Sequence, residues 1–487
     1  MTDSLPSLRA GLTLAEDAIV DTALARRLRL DRSFLAVASA LPGSTDDVVA
    51  RTELEPALVT RIVAALDTHH LLDTEEARTH LREATATQAT LAQDPDTVPL
   101  IIRDDAAFTC TQCGSCCGGH NIGPVLPDTL EALSPHMAAL ATKARLIDSP
   151  FYSLPSDDED PSVLCRTQDG WCVFLDDDRK CTIHGALGGP AKPRVCQLFP
   201  WEFRATPEGI VVTVSNECRG FAEARQGQPV TERADALRRL LHLIPAGHLG
   251  ALKPRPALRP GAIISFAQWA EHLETLHDAI DAHPSHPSAA LLAMRDALHS
   301  RPGPREDPEL LDDLESLCAA IRQRLQEVIE RSAASSEAVV VRHTGVTLLS
   351  EALDAMPLHL RRSLLPLDRR DQGELFTALM HQRLASHELL DATSAVHGLA
   401  WLTFGWLVGR ASAIHRAQQV KRRHLVSQDL VDATAPITFV LRAGRVRAAL
   451  RPFDDAVLDL FGRRLGALIT LGTASRMNES PLELHAS

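Results

Sequence analysis

Phe108-Thr109-Cys110-Thr111-Gln112-Cys113-Gly114-Ser115-Cys116-Cys117 is the stretch on which the reading of this chain turns. Its C-x2-C-x2-C-C run is followed by Cys165, Cys172, Cys181, Cys196 and Cys218, so nine of the ten cysteines fall in one segment. That density of thiols points to metal binding. A thiolate binds zinc tetrahedrally or holds an iron–sulfur cluster, and both usually take four ligands. Nine cysteines therefore fit two sites better than one. Neighbouring residues in an extended chain point their side chains to opposite sides, so Cys116 and Cys117 need not face the same metal. One can serve each site, or one can be structural. Cys110, Cys113 and Cys116 are spaced like the first three ligands of a bacterial ferredoxin run, but the fourth cysteine followed by proline is absent. A replacement would come from far along the chain, such as Cys196, which shortly precedes Phe199-Pro200. Zinc knuckles pair two C-x2-C units, and only the first half has that spacing here. The spacing establishes a metal site and leaves zinc and iron both open. His120 and His184 are lesser candidates, since imidazole binds either metal, although a solvent-facing or hydrogen-bonded histidine is the commoner case.

The totals set bounds on either side of this segment. At 487 residues the chain is long enough for about three domains of roughly 150 residues. Its 45% hydrophobic and 23% charged content is that of a soluble globular protein. A formal charge of -13 argues against a general nucleic-acid binder, because neutralising phosphates needs a basic face. Met1 to Leu14 carries acidic and polar residues where an export signal would need a positive start and an apolar run, so no export signal is expected. The longest apolar stretch, Ala395 to Val408, is broken by His397, Gly398 and Gly405 and is too short to span a bilayer. It reads as a buried helix in a cytoplasmic protein without membrane association. In a reducing compartment, clustered thiols are ligands or redox groups rather than disulfides.

Before the cysteines, residues 1–75 begin with short alternating runs (Ile19, Val20, Leu28, Leu30) and then switch to helical spacing. Phe34, Leu35, Ala38 and Leu41 fit one helix, which Pro42-Gly43 ends. Ser44 or Thr45 can cap a second helix with Val48 and Val49. Pro56 suits the first turn of a third, where its missing N–H is harmless, and Leu58, Val59, Ile62, Val63 and Leu66 share one face of it. The unit ends at His69-His70-Leu71-Leu72-Asp73. Short strands followed by three compact helices outline a winged-helix-like module. Residues 76–105 form a linker with an Ala/Thr-rich helix. The cysteine domain spans 106–222, with acidic loops Asp157 to Pro161 and Asp176 to Asp178 and a strand between Glu208 and Val214. From 223 to 487 the pattern is helical, including Ala236 to Leu243, Leu310 to Glu330, Leu348 to Leu353, Gly373 to Leu390, Ala395 to Ala417, Ser427 to Val431 and Ala456 to Leu471; Ala338 to Arg342 is β-like. The expected fold is mainly α with small β elements: winged-helix-like module, irregular metal-binding domain, helical domain.

Two resemblances bear on function. The Pro42-Gly43-Ser44-Thr45 turn, the Asp46-Asp47-Val48-Val49 helix start and the ending Leu71-Leu72 resemble PqqD-like domains, which grip leader peptides. A structural cap on the next domain would show the same outline. The cysteine run, then Gly170-Trp171-Cys172, Cys181-Thr182-Ile183-His184, Lys192-Pro193-Arg194-Val195-Cys196-Gln197-Leu198-Phe199-Pro200 and Cys218 resemble the zinc- or iron-chelating cysteine-cluster family (YkgJ-like), over roughly residues 106–222. That family includes the flagellin lysine N-methylases. Fourteen residues separate Cys181 from Cys196, more than is usual in the family, with Gly185 to Ala191 looking inserted. The resemblance implies a bound iron–sulfur cluster, such as 4Fe–4S, or zinc. For the methylase branch it implies S-adenosylmethionine and methyl transfer to a lysine of a protein or peptide partner.

The residues alone identify neither catalyst nor donor site. No G-x-G-x-x-G follows a strand, and Cys113-x3-Cys117-x2-His120 is a chance near-match to the radical C-x3-C-x2-C run. Cys318, with Leu314, Leu317 and Ile321, reads as a core thiol. Trp401, Phe404, Leu407 and Val408 read as core. Arg416, Lys421, Arg422 and Arg423 read as a solvated face. Two other functions stay open beside a methyltransferase: an adaptor with structural zinc, and an iron–sulfur redox or electron-transfer protein.

Overall fold

Asp31 accepts a hydrogen bond from the Phe34 amide and so starts the first helix, α1 (Arg32–Ala40), directly after three short antiparallel strands, β1 (Leu12–Leu14), β2 (Ala18–Asp21) and β3 (Arg26–Arg29). The computed structural model describes residues 4–24, 26–118, 122–141, 149–154, 162–165, 167–168, 171–215, 217–218, 220–221, 227–245, 247–253, 256–298, 307–333, 344–361, 370–421, 427–442 and 444–474. In α2 (Thr45–Thr52), Ser44 and Asp47 bond each other's backbone amides in a capping box, which satisfies two donors the helix itself cannot. Pro56 occupies the first turn of α3 (Pro56–Thr68). These helices close over Ile19, Val37, Val48, Val59, Ile62, Leu66, Leu71 and Leu72, all buried. A buried Arg9–Asp21 ion pair, joined by Arg26, pins the amino-terminal strand to the end of α3.

The next helix, α4 (Glu75–Ala92), packs against a four-stranded sheet. Its strands are β4 (Leu100–Ile101), β5 (Trp201–Thr206), β6 (Gly209–Val214) and β7 (Gly250–Ala251), in the order β7-β5-β6-β4. β5 and β6 form an antiparallel hairpin with Trp201 opposite Val214, whereas β4 and β7 join its edges in parallel. Every residue of β6 is buried, as its unbroken apolar run requires of a strand covered on both faces. Val98, Phe108, Ile210, Val212, Val214, Phe221 and Leu237 form the core beneath it.

The remainder is helical. Its main elements are α5 (Phe266–Asp281), α6 (Leu310–Ala333), α7 (Arg370–Ala385), α8 (Ala395–Gln419) and α9 (Ser427–Arg442). α8 is apolar all round and is buried along almost its whole length, the condition for a helix at the centre of a large core. Trp401, Phe404, Leu407 and Val408 are part of that core, as is Cys318 beside Leu314, Leu317 and Ile321. No described helix is long and apolar enough to cross a membrane. The fold class is mainly helical with small β elements. Two helices run further than their periodicity suggests, Thr344–Arg361 and Ser427–Arg442. Each contains a proline, Pro357 or Pro436, where a reading from local pattern stops; burial against α8 carries the helix past it. The loop Asp157 to Pro161, the run Ala338 to Arg342, and Arg422 and Arg423 lie outside the described residues.

Candidate metal centre

Each thiol sits at the end of a short element. Phe108 donates its amide to the Gln228 carbonyl, which fixes the chain just before Cys110 and Cys113. A single 3-10 turn, Ser115–Cys117, then presents Cys116 and Cys117 side by side with their sulfurs 3.9 Å apart. This loop lies on the segment from Trp171 to Cys181 and can do so only through glycine. At Gly114, with a left-handed φ of 68°, a β-carbon would meet the Arg179 carbonyl, and at Gly118 it would lie 2.6 Å from the Trp171 ring. Cys165 ends the strand Ser162–Cys165 and donates its amide to Ile122. Cys172 ends the two-residue strand Trp171–Cys172. Cys181 caps the helix Thr182–Leu187, and Cys196 lies on the helix Arg194–Leu198. Cys218 follows β6 in a turn closed by Cys218–Ser215 and Phe221–Cys218 backbone bonds.

The nine thiols divide into two neighbourhoods. Cys165 and Cys172 are buried among Ile122, Val125, Leu133, Val173, Phe174 and Ile183, and Cys117, Cys181 and Cys196 border the same cluster. Cys110 and Cys116 are exposed and Cys113 half-buried. On their side stands Cys218, whose sulfur lies against Gly220 and feels Cys116 and Cys113. Cys116 and Cys117 join the two groups.

Ionising one thiol opposes ionising the next. The hydrogen bond from Cys117, aided by Lys192, brings Cys116 down to about 7, and the same contact pushes Cys117 up. Contact with Cys172 raises Cys165 and lowers Cys172. Burial pushes Cys196 and Cys218 each up to about 12 and also raises Cys181. A bound cation removes this conflict, because it stabilises every thiolate at once. Main-chain N–H groups already point at the sulfurs: those of His184 and Ile183 at Cys181, Phe174 at Cys172, Phe221 and Gly220 at Cys218, and Gln112 at Cys110. The donor set fits a metal.

The spacing of the sulfurs is wide. Zinc–sulfur bonds of about 2.3 Å place tetrahedral sulfurs roughly 3.8 Å apart. Cys116 and Cys117 match that distance, but among the described residues, which include all nine thiols, no three cysteine sulfurs lie within 4.8 Å of one another. His184 is exposed; its ring lies against Gly189, and only its backbone amide reaches Cys181. The segment Gly185 to Ala191 completes that helix and a 3-10 turn, held by Gln197 donating to the Pro190 and Lys192 carbonyls. His120 lies outside the described residues. Asp176 to Asp178 form a tight turn in which Asp176 accepts from the Lys180 amide.

Beside the Cys218 limb, a cavity of about 350 Å³ opens between Ala106, Ala107, Val214 and Phe221 on one side and α5 and α7 on the other. Arg103, Asp105, Asp281, Glu374 and His381 line it. His381 Nε2 is 2.9 Å from Asp281 Oδ1, and His381 Nδ1 is 2.6 Å from His277 Nδ1. Arg103 Nη1 is 2.8 Å from His277 Nδ1 and its guanidinium pairs with Asp105. Burial first, then Arg103, depress both histidines, His277 to about 3. Sequence reasoning missed this group because isolated histidines and acids from distant elements carry no local signal.

Residues 109–219 match the model of the CxxCxxCC family, described as "Putative zinc- or iron-chelating domain". The cysteine cluster from Cys110 to Cys218 therefore lies within a segment similar to a zinc- or iron-chelating domain. No curated protein and no solved structure matches the chain.

Proposed function

We propose that this chain is an iron–sulfur enzyme of the cytoplasm that modifies a protein or peptide, transferring a methyl group from S-adenosylmethionine to a lysine side chain. The observation that carries the iron–sulfur reading is the spacing of the sulfurs: no three of them lie within 4.8 Å of one another, wider than the ligands of one zinc ion. A cluster of several irons, each taking one thiolate, spreads its ligands in that way. Cys110, Cys113, Cys116 and Cys218 would hold one centre. Cys117, Cys165, Cys172, Cys181 and Cys196 would supply the other. If only three of the thiolates around one centre bound it, the remaining iron would keep an open position and would supply an anchor for the amino and carboxylate groups of the methyl donor.

The chain's own residues supply the rest. The lysine-methylase resemblance of the cysteine motif points to an amine acceptor, and the carboxylates of Asp105, Asp281 and Glu374 around the cavity suit an ammonium group. That ammonium must lose a proton before its nitrogen can attack. Asp281, whose Oδ1 contacts His381 Nε2, would take it. The nitrogen then forms its bond to the methyl carbon as the sulfur–carbon bond breaks, and the thioether leaves. The PqqD-like features of residues 1–75 support a role for the amino-terminal module in holding the peptide.

The test begins with protein purified without oxygen. Iron, acid-labile sulfide and S-adenosylmethionine binding are measured, and then methylation of lysine-containing proteins. Asp281→Asn and His381→Gln should lower transfer about 100-fold, the lower end of what a positioned base contributes, with iron content and donor binding unchanged. Iron-loaded protein that binds no S-adenosylmethionine would leave an iron–sulfur redox or electron-transfer role, and zinc without iron would leave the second reading, an adaptor with structural zinc. One observation favours a structural role for part of the cluster: Cys165 and Cys172 are only 1% and 7% exposed within an apolar core.

A further inference from the structure

A second donor cluster lies far from the cysteines along the chain. His70 follows α3 in a left-handed turn with φ 52°. Its position is fixed on both sides: its amide donates to the Asp67 carbonyl, and its carbonyl accepts from Arg9, itself locked by Asp21. The adjoining chain is fixed too, by Arg9–Leu71 and Asp73–Ser7 backbone bonds. One short turn later α4 begins. Glu76 and His80 are four residues apart on it and so share a face. His70 and His80 are buried, their rings stacked with centroids 4.0 Å apart, while Glu76 is exposed. One donor atom from each of the three lies within 4.8 Å of the others. The neighbouring Glu75 is engaged by Arg78 and Arg82, whereas Glu76 makes no ion pair among the described residues.

We propose that His70, Glu76 and His80 form a binding site for a zinc-like divalent cation, clasping the amino-terminal module to α4. Two imidazoles and one carboxylate are the donor set of three-ligand zinc sites, with water completing the tetrahedron. The set does not suit magnesium or calcium, which take oxygen ligands. Bonds of about 2.0–2.2 Å place tetrahedral donors roughly 3.4 Å apart, and the three donor atoms stand within 4.8 Å of one another. Glu76 is the ligand free to move, because it sits on the exposed side of the first turn of α4, while the imidazoles are set by packing. Since α4 leans on the sheet that carries Cys218, the cation would fasten the first module to the cysteine segment. This inference is independent of the proposed methyl transfer.

The full-length protein, its cysteine centres loaded under anaerobic conditions and loosely held metal removed, is titrated with Zn2+ by calorimetry and with Co2+ by visible absorption. The expected result is one further equivalent of either metal, with cobalt bands that lack sulfur-to-metal charge transfer. Thermal stability should rise with zinc. Glu76→Gln, which changes one exposed side chain, should weaken this site at least tenfold, and His80→Gln should abolish it; iron and sulfide content should stay as in the wild type. Absence of a further equivalent in the wild type overturns the proposal, and so does a cobalt spectrum or zinc affinity that both variants leave unchanged.

Discussion

Cys165 and Cys110 are the same residue type in opposite surroundings, and their substitutions should differ accordingly. Cys165 is buried in the apolar cluster and touches Cys172. Cys165→Ser places a hydroxyl there, so metal content and folding cooperativity should fall together in a thermal melt followed by circular dichroism. Cys110 is exposed, and Cys110→Ser should lower the metal content while leaving the melting temperature of the helical domain unchanged. Cys318→Ala, in the core and away from the cluster, should cost about 1 kcal/mol in denaturant unfolding and leave the metal count as in the wild type. His277 gives a pH signature. Its folded pKa of about 3 lies below its unfolded value near 6.5, so the unfolded chain binds the extra proton as pH falls. Its contribution to stability is therefore complete above about pH 6.5 and is lost towards pH 3; His277→Gln should flatten that part of the stability profile. The cysteines were legible in the sequence because metal chelation leaves a spacing. The His381–Asp281–His277 group was not, because its members meet only after α5 and α7 pack together.

At the level of elements, the strongest local signals are caps and glycines. Ser44 and Asp47 form the capping box of α2, and Ser44→Ala should cost about 1 kcal/mol, seen as a lower denaturant midpoint for the first module. Gly118→Ala would drive a β-carbon into the Trp171 ring. Overpacking of this kind costs roughly 1–3 kcal/mol, and because the clash lifts the Cys110–Cys117 loop from its support, bound iron should fall with it. Ser44, Pro56 and the face Val59, Ile62 and Leu66 are readable from sequence because each acts within one or two turns. Strands Leu100–Ile101 and Gly250–Ala251 are not. Two residues carry no period, and they are strands only because the β5–β6 hairpin offers each an edge. The helix past Pro436 escapes a local reading for the same reason: its support is α8, not its own pattern.

Across the whole molecule, the cysteine segment and the helical body are joined by charges as well as by packing. Arg442 of α9 bonds Glu202 of β5 at 2.8 and 3.0 Å and approaches Glu217, next to Cys218, and Glu388. Arg204 of β5 pairs with Asp391. Burial pushes Glu217 up to about 7 even though Arg442 opposes it. Arg442→Met would remove the cation bonded to Glu202 and leave Arg383, already paired with Glu388, to face both carboxylates; it should destabilise the chain by roughly 1–3 kcal/mol, with the Cys218 limb reacting faster in a thiol-labelling assay. The central claim is that the sulfurs from Cys110 to Cys218 surround iron–sulfur centres rather than single zinc ions. Its most direct test is metal and acid-labile sulfide analysis, with an absorption spectrum, of protein purified without oxygen. The account predicts a brown protein with iron and sulfide in comparable amounts and a broad band near roughly 400 nm from sulfur-to-iron charge transfer. A colourless protein that holds one or two zinc ions and no iron would contradict it.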